Sequence, residues 1–227
     1  MKTMLTAFFA VILGTQSLLA NDYWVTQYRA APGKFPELLE LVKNTDWLKS
    51  VGSKPVLMRH SQGDQWDLLI LGQPCTLPPC VKAGQEFGAK TDALVDFELS
   101  FMAKSDTAWD TARQMADAAG LFHIEMFKAA AGKHAALDRQ RKIENTYLAK
   151  TGQTTNVVFD VQFGSDIDIF TIGFHESLAS FAKDAPVTSE QAEAAAIEAG
   201  FKNRADISFH LRELIVGHHD TLAVPVK

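Results

Sequence analysis

Apolar and polar positions alternate over short stretches of this chain, and the same succession of patterns occurs twice. Tyr23 to Arg29 and Phe122 to Lys128 both read as strands rich in large side chains. After Phe122 to Lys128 the chain turns at Gly132-Lys133. Leu137, Ile143, Tyr147 and Leu148 then punctuate a charged run from Ala135 to Lys150. That spacing predicts an amphipathic helix ended by Gly152. Asn156 to Phe163 and Asp168 to Gly173 are β-branched and aromatic around Gly164-Ser165-Asp166, which predicts a hairpin. An Ala-rich helix with Glu190 to Ala199, a helix over Ala205 to Val216 and a short strand from Leu222 to Val226 complete this part. The earlier part predicts a strand, a helix over Phe35 to Ser50, strands Val56 to His60 and Asp67 to Leu71, and a closing helix over Ala89 to Lys104. Its last strand is weak, with Ala108-Trp109-Asp110 the candidate.

The two parts also match residue by residue. Tyr23-Trp24-Val25-Thr26-Gln27-Tyr28-Arg29-Ala30-Ala31-Pro32-Gly33-Lys34 is echoed ninety-nine residues later by Phe122-His123-Ile124-Glu125-Met126-Phe127-Lys128-Ala129-Ala130-Ala131-Gly132-Lys133. Gly63 to Gly72 is echoed by Gly164 to Gly173, and Ser105-Asp106-Thr107 by His219-Asp220-Thr221. Copies in the same order indicate a tandem duplication. They divide the mature chain into a first repeat over residues 21–117 and a second over 118–227.

Residues 1–20 read as a signal peptide, with Lys2 as the positive region, apolar Leu5 to Leu13, and Leu18-Leu19-Ala20 ending in a small residue. The apolar run breaks at Gly14, short of the roughly 20 residues a bilayer span needs. A periplasmic or secreted protein follows, without stable membrane insertion after cleavage. The formal charge of −5 is spread along the chain and offers no footprint for nucleic acid. Cys75 and Cys80 lie in a Pro-rich loop, and in an oxidising compartment they are expected to form a disulfide. The second repeat has no counterpart to them.

A βαββαβ half is the ferredoxin-like split unit, whose open sheet face needs cover. The strand, the A-A-x-G-K turn before a helix, and the hairpin, all given twice, resemble the dimeric α/β-barrel superfamily in fused form. That group includes monooxygenase-, EthD- and NIPSNAP-type proteins. The resemblance implies an α+β fold of two ferredoxin-like repeats packed sheet to sheet as a single-chain barrel, and a monomer, because each sheet already has its partner. Function does not follow from it, because such barrels serve cofactor-free oxygenases, haem enzymes and proteins without known activity alike.

Sorting the strand faces gives candidate residues. Tyr23, Val25 and Gln27, with Phe122, Ile124 and Met126, form a mainly apolar face suited to helices. The opposite face carries Trp24, Thr26 and Tyr28 in one repeat and His123, Glu125 and Phe127 in the other, and is expected to line a cavity between the sheets. Trp24, Tyr28 and Phe127 would grip a small apolar or aromatic molecule. His123 and Glu125, two apart on one strand, suit proton transfer in an enzyme of the monooxygenase or haem-dependent type; they are also competent metal ligands or a mutually satisfied structural pair. Asp160 and Arg59 read first as solvated strand residues and second as added charge on that wall, with Thr171 a weaker addition. His218-His219-Asp220 is expected in the turn before the last strand, where Asp220 turns the chain; as a metal cluster it is the weaker reading, because adjacent side chains diverge, and no metal or cofactor is assigned from sequence. A structural protein without ligand is the third reading. No G-x-S-x-G, H-E-x-x-H or phosphate loop is present.

Overall fold

The computed structural model describes residues 21–226; the expected signal segment, 1–20, lies outside them. Eight antiparallel strands close into one barrel: β1 (Asp22–Ala30), β2 (Val56–Gln62), β3 (Leu68–Gly72), β4 (Val95–Ser105), β5 (Leu121–Ala129), β6 (Asn156–Phe163), β7 (Ile169–His175) and β8 (Ile215–Pro225). Around the barrel the order is β4-β1-β3-β2 and then β8-β5-β7-β6, so the second four strands repeat the arrangement of the first. The two groups are stitched by the β2–β8 and β4–β6 ladders. The expected sheet-to-sheet packing is thus realised as a continuous hydrogen-bonded wall.

Among the described residues, eight helices surround the strands: α1 (Phe35–Asn44), α2 (Trp47–Val51), α3 (Pro78–Thr91), α4 (Trp109–Ala118), α5 (His134–Lys150), α6 (Leu178–Phe181), α7 (Ser189–Ala199) and α8 (Asp206–Arg212). Where one helix was expected from Phe35 to Ser50, α1 and α2 are separate. The Asp46 side chain accepts from the Lys49 amide and starts a new helix at Trp47. Cys75 and Cys80 are joined, tying the loop after β3 to the first turn of α3.

Two strands differ from expectation. The segment read as a closing helix from Ala89 to Lys104 is the end of α3 followed by β4, in which Val95, Phe97, Leu99 and Phe101 alternate with Asp96, Glu98 and Ser100. Trp109 begins α4 instead of a strand. Near the other end, β8 starts at Ile215, so His218, His219 and Asp220 are strand residues and not a turn.

The barrel interior corrects the face assignment. Tyr23, Val25, Phe122, Ile124 and Met126 point inward and pack with residues from every other strand, among them Met58, Leu71, Phe101, Val157, Phe170 and Ala223. Tyr23 meets Phe159 edge-on at 4.9 Å and Phe159 stacks on Phe170 at 4.4 Å. Side chains therefore fill the space that was expected to be a cavity between sheets. Trp24, Thr26, Tyr28, His123, Glu125 and Phe127 face outward, beneath the helices. The physical reason is that a closed barrel clad in helices buries both faces of each strand. The interior, with no route to water, takes the more apolar set.

Candidate functional site

The outward face of each half forms a recess under its helices, and the two recesses differ in chemistry. In the first half, α2 and α3 arch over β1, β3 and β4 and leave a cavity of about 380 Å³. Its walls include Trp24, Tyr28, Trp47, Ile70, Phe87 and Met102. The indole N–H of Trp24 donates to the Gln73 carbonyl at 3.0 Å and that of Trp47 to the Val42 carbonyl at 3.0 Å. With their polar ends satisfied elsewhere, both indoles serve the recess as apolar surface. The α3 face above them carries Cys80, Gly84 and Gly88 at successive turns, and a Cβ added at either glycine would meet nothing within 4 Å. The helix passes overhead without filling the space.

One polar chain runs along this recess. Thr26 Oγ1 lies 2.9 Å from Ser100 Oγ, which donates to Glu98 Oε1 at 3.2 Å. Burial and the nearby Glu98 carboxylate push the Tyr28 phenol well above its usual range, so it stays protonated.

In the second half, α5, α6 and the segment following α6 cover β5 and β7 and enclose about 310 Å³. His123 and Glu125 share one face of β5, and Asp220 on β8 lies directly opposite Glu125 in the ladder. Thr171 on β7 is opposite Glu125 on the other side. The period of two thus brings residues of three strands together. His123 Nε2 lies 2.7 Å from Asp220 Oδ1. Thr171 donates to Glu125 Oε2 at 3.2 Å, and His218 Nε2 lies 3.5 Å from Glu125 Oε1.

Arg141 on α5 supplies the counter-charge. It is buried, forms an ion pair with Glu144, places Nη1 at 3.6 Å from Glu125 and stacks its guanidinium 4.7 Å over Phe127. Burial pushes Glu144 upward, only partly offset by Arg141. Burial acts on Glu125 in the same sense, but His218, Arg141 and His123 outweigh it and hold that carboxyl below its usual value. Burial opposes charge on His123, yet the Asp220 hydrogen bond and Glu125 prevail and its pKa is raised. Asp220 is lowered by the same hydrogen bond. His175, across the Phe181 ring from His123, is lowered by burial and by the His123 charge.

The sequence-derived candidates are therefore split. Trp24 and Tyr28 line the first recess, and His123 and Glu125 line the second. Phe127 is fully buried, stacked on His218 at 4.8 Å and under Arg141, and lines neither. Asp160 pairs with His134 at 2.8 Å and Arg59 sits over Phe35, both away from the recesses. Glu98, Ser100 and Met102 were missed because β4 was read as helix; Asp220 was noted with His218 and His219, but its place beside His123 and Glu125 was hidden because the segment was read as a turn. Arg141, Glu144 and His175 carried no motif; their signal is position on elements that the fold brings over Glu125.

No protein-family profile matches the chain, and no curated protein matches it in sequence. Solved structures do match. An anthrone oxidase-like protein has a TM-score of 0.58 at 14% identity, with 92% of each chain covered. The fold is that of the dimeric α/β barrel. A provisionally named monooxygenase from Fusobacterium nucleatum gives 0.55 at 9% identity, covering 92% of this chain and 93% of the other. A provisionally named chlorite dismutase gives 0.54 at 10% identity, covering 92% and 96%. At these identities the likeness to other dimeric α/β barrels is one of architecture alone.

Proposed function

We propose that this protein binds a small apolar or aromatic molecule in the recess of its first half. The observation that carries the reading is a cavity of about 380 Å³ walled by Trp24, Tyr28, Trp47 and Phe87 and left open by Gly84 and Gly88. That volume lies in the range of small-molecule sites, which are mostly apolar with a few convergent polar groups. The Thr26–Ser100–Glu98 chain supplies such groups. A planar ring bearing one hydroxyl suits this wall, its ring against the indoles and its hydroxyl donating to Glu98.

Fluorescence titration with 2-naphthol tests the reading. Saturable quenching is expected in the wild type and should disappear in Gly88→Leu, whose side chain enters the recess. Replacing a mid-helix glycine with leucine favours the helix by about 1 kcal/mol, so the variant should melt no lower than the parent. Absent binding, or binding that Gly88→Leu leaves intact, overturns the proposal.

An enzyme is the alternative, and the second recess favours it. His123 and His175 both pack against Phe181 with their pKa values displaced in opposite directions, the separation an acid–base pair needs. In this reading His123 transfers a proton, Asp220 orients it through their hydrogen bond, and Glu125 favours its charged form. The oxidase-like and monooxygenase neighbours are compatible with such a role.

A further inference from the structure

We infer that the second recess holds a divalent first-row transition metal ion on His123 Nε2 and one carboxylate oxygen each of Glu125 and Asp220. The three donor atoms lie within 4.8 Å of one another. Around an ion bound at 2.0–2.2 Å, tetrahedral donors are separated by about 3.4 Å. His123 Nε2 and Asp220 Oδ1 already sit at 2.7 Å, joined by a proton where the ion would go. Rotation of the exposed Asp220 side chain suffices to open that pair, because Asp220 is 58% exposed and one strand, β5, holds the other two donors on the same face.

The surroundings fit a cation. Glu125, Asp220 and Glu144 bring three negative charges, Arg141 returns one, and His123 is neutral when it coordinates. The remaining charge of about −2 matches a divalent ion. Glu125 is oriented from behind, with Oε2 accepting from Thr171 and facing Arg141. Such outer partners fix the aim of a ligating carboxylate. An imidazole nitrogen among the donors selects zinc, cobalt or iron over magnesium and calcium. Three protein ligands leave coordination positions free, and the cavity of about 310 Å³ on that side gives a small molecule access to them.

This inference does not rest on ligand binding in the first recess. It does compete with proton transfer by His123, since a metal-bound imidazole carries no proton on that nitrogen.

Cobalt(II) is the probe. Titration of the mature protein should give one equivalent of bound cobalt with a visible ligand-field band. Affinity should fall by more than roughly 100-fold in His123→Ala and by about 10-fold in Thr171→Val, the usual scale of an outer-shell loss. It should also weaken as pH drops, because His123 must lose its proton. In the wild type, bound cobalt should broaden the ring proton resonances of His123 and His175, a result independent of any variant's folding. The exposed His219, 3.6 Å from Asp64, is the competing site. Binding lost in His219→Ala but kept in His123→Ala overturns the inference, as does failure to bind cobalt above micromolar affinity.

Discussion

Gln27 and Met126, ninety-nine positions apart and equivalent in the two repeats of the sequence, meet inside the barrel, where the Gln27 amide donates to the Met126 sulfur at 3.3 Å. A thioether is a weak acceptor, so this amide gains little for the cost of its burial. Gln27→Met should therefore be neutral or stabilising by up to about 1 kcal/mol. Met126→Ala, which removes the sulfur and opens a cavity, should cost about 2–5 kcal/mol. Urea unfolding of both variants checks the contrast.

Gly72 lies opposite Trp24 in the β1–β3 ladder, and a Cβ there would come within 2.5 Å of the Trp24 ring. Gly72→Ala should displace the indole from the Gln73 carbonyl, shift the tryptophan emission and weaken 2-naphthol binding about tenfold or more. Unchanged emission and affinity would show that Trp24 does not wall the ligand.

The Cys75–Cys80 bridge lines the same recess and closes a short loop. By loop-closure entropy it contributes about 2 kcal/mol. Paired Cys75→Ser and Cys80→Ser substitutions should lower the melting temperature by roughly 4–8 °C in a chain of this size, read by calorimetry.

Arg141 neutralises two carboxylates under α5, so Arg141→Met would leave Glu125 and Glu144 without their cation. A loss of about 3–5 kcal/mol is expected at neutral pH. Protonating the carboxyls should restore part of it, so the deficit measured by urea unfolding should shrink towards pH 4.

The His123–Asp220 pair sets a pH window. His123 is raised, so its contribution is complete below about pH 6.5 and fades as pH climbs through the folded value. Asp220 is lowered, so its contribution is complete above about pH 3.9 and fades as pH falls through the folded value. A double-mutant cycle with His123→Ala and Asp220→Ala should therefore show more coupling at pH 5 than at pH 9. The coupling is modest, because Asp220 is more than half exposed.

Much of this architecture was legible because β1, β5 and their following helices carry strong patterns, and because the second copy supports the first. Two strands escaped for different reasons. Val95 to Phe101 does alternate, but no glycine or proline separates it from α3, so the two elements run together as one apparent helix. In β8, the polar run Gly217 to Asp220 hides the period of two. Which strand face looks inward was not legible at all, since alternation distinguishes two faces but not two kinds of burial. The recesses depend on that choice. The fourfold spacing of Cys80, Gly84 and Gly88 was in plain view; it gains meaning only once α3 is known to cross Trp24 and Tyr28.

The β2–β8 and β4–β6 ladders have a final consequence. Each group of four strands ends in two edges that only the other group covers, so neither can be freed without exposing both. The covalent link through residues 119–120, between α4 and β5, then acts as a tether that keeps the two groups at high mutual concentration. Cut there, the two fragments should find each other again and rebuild the same wall, making the molecule a heterodimer in everything but its backbone.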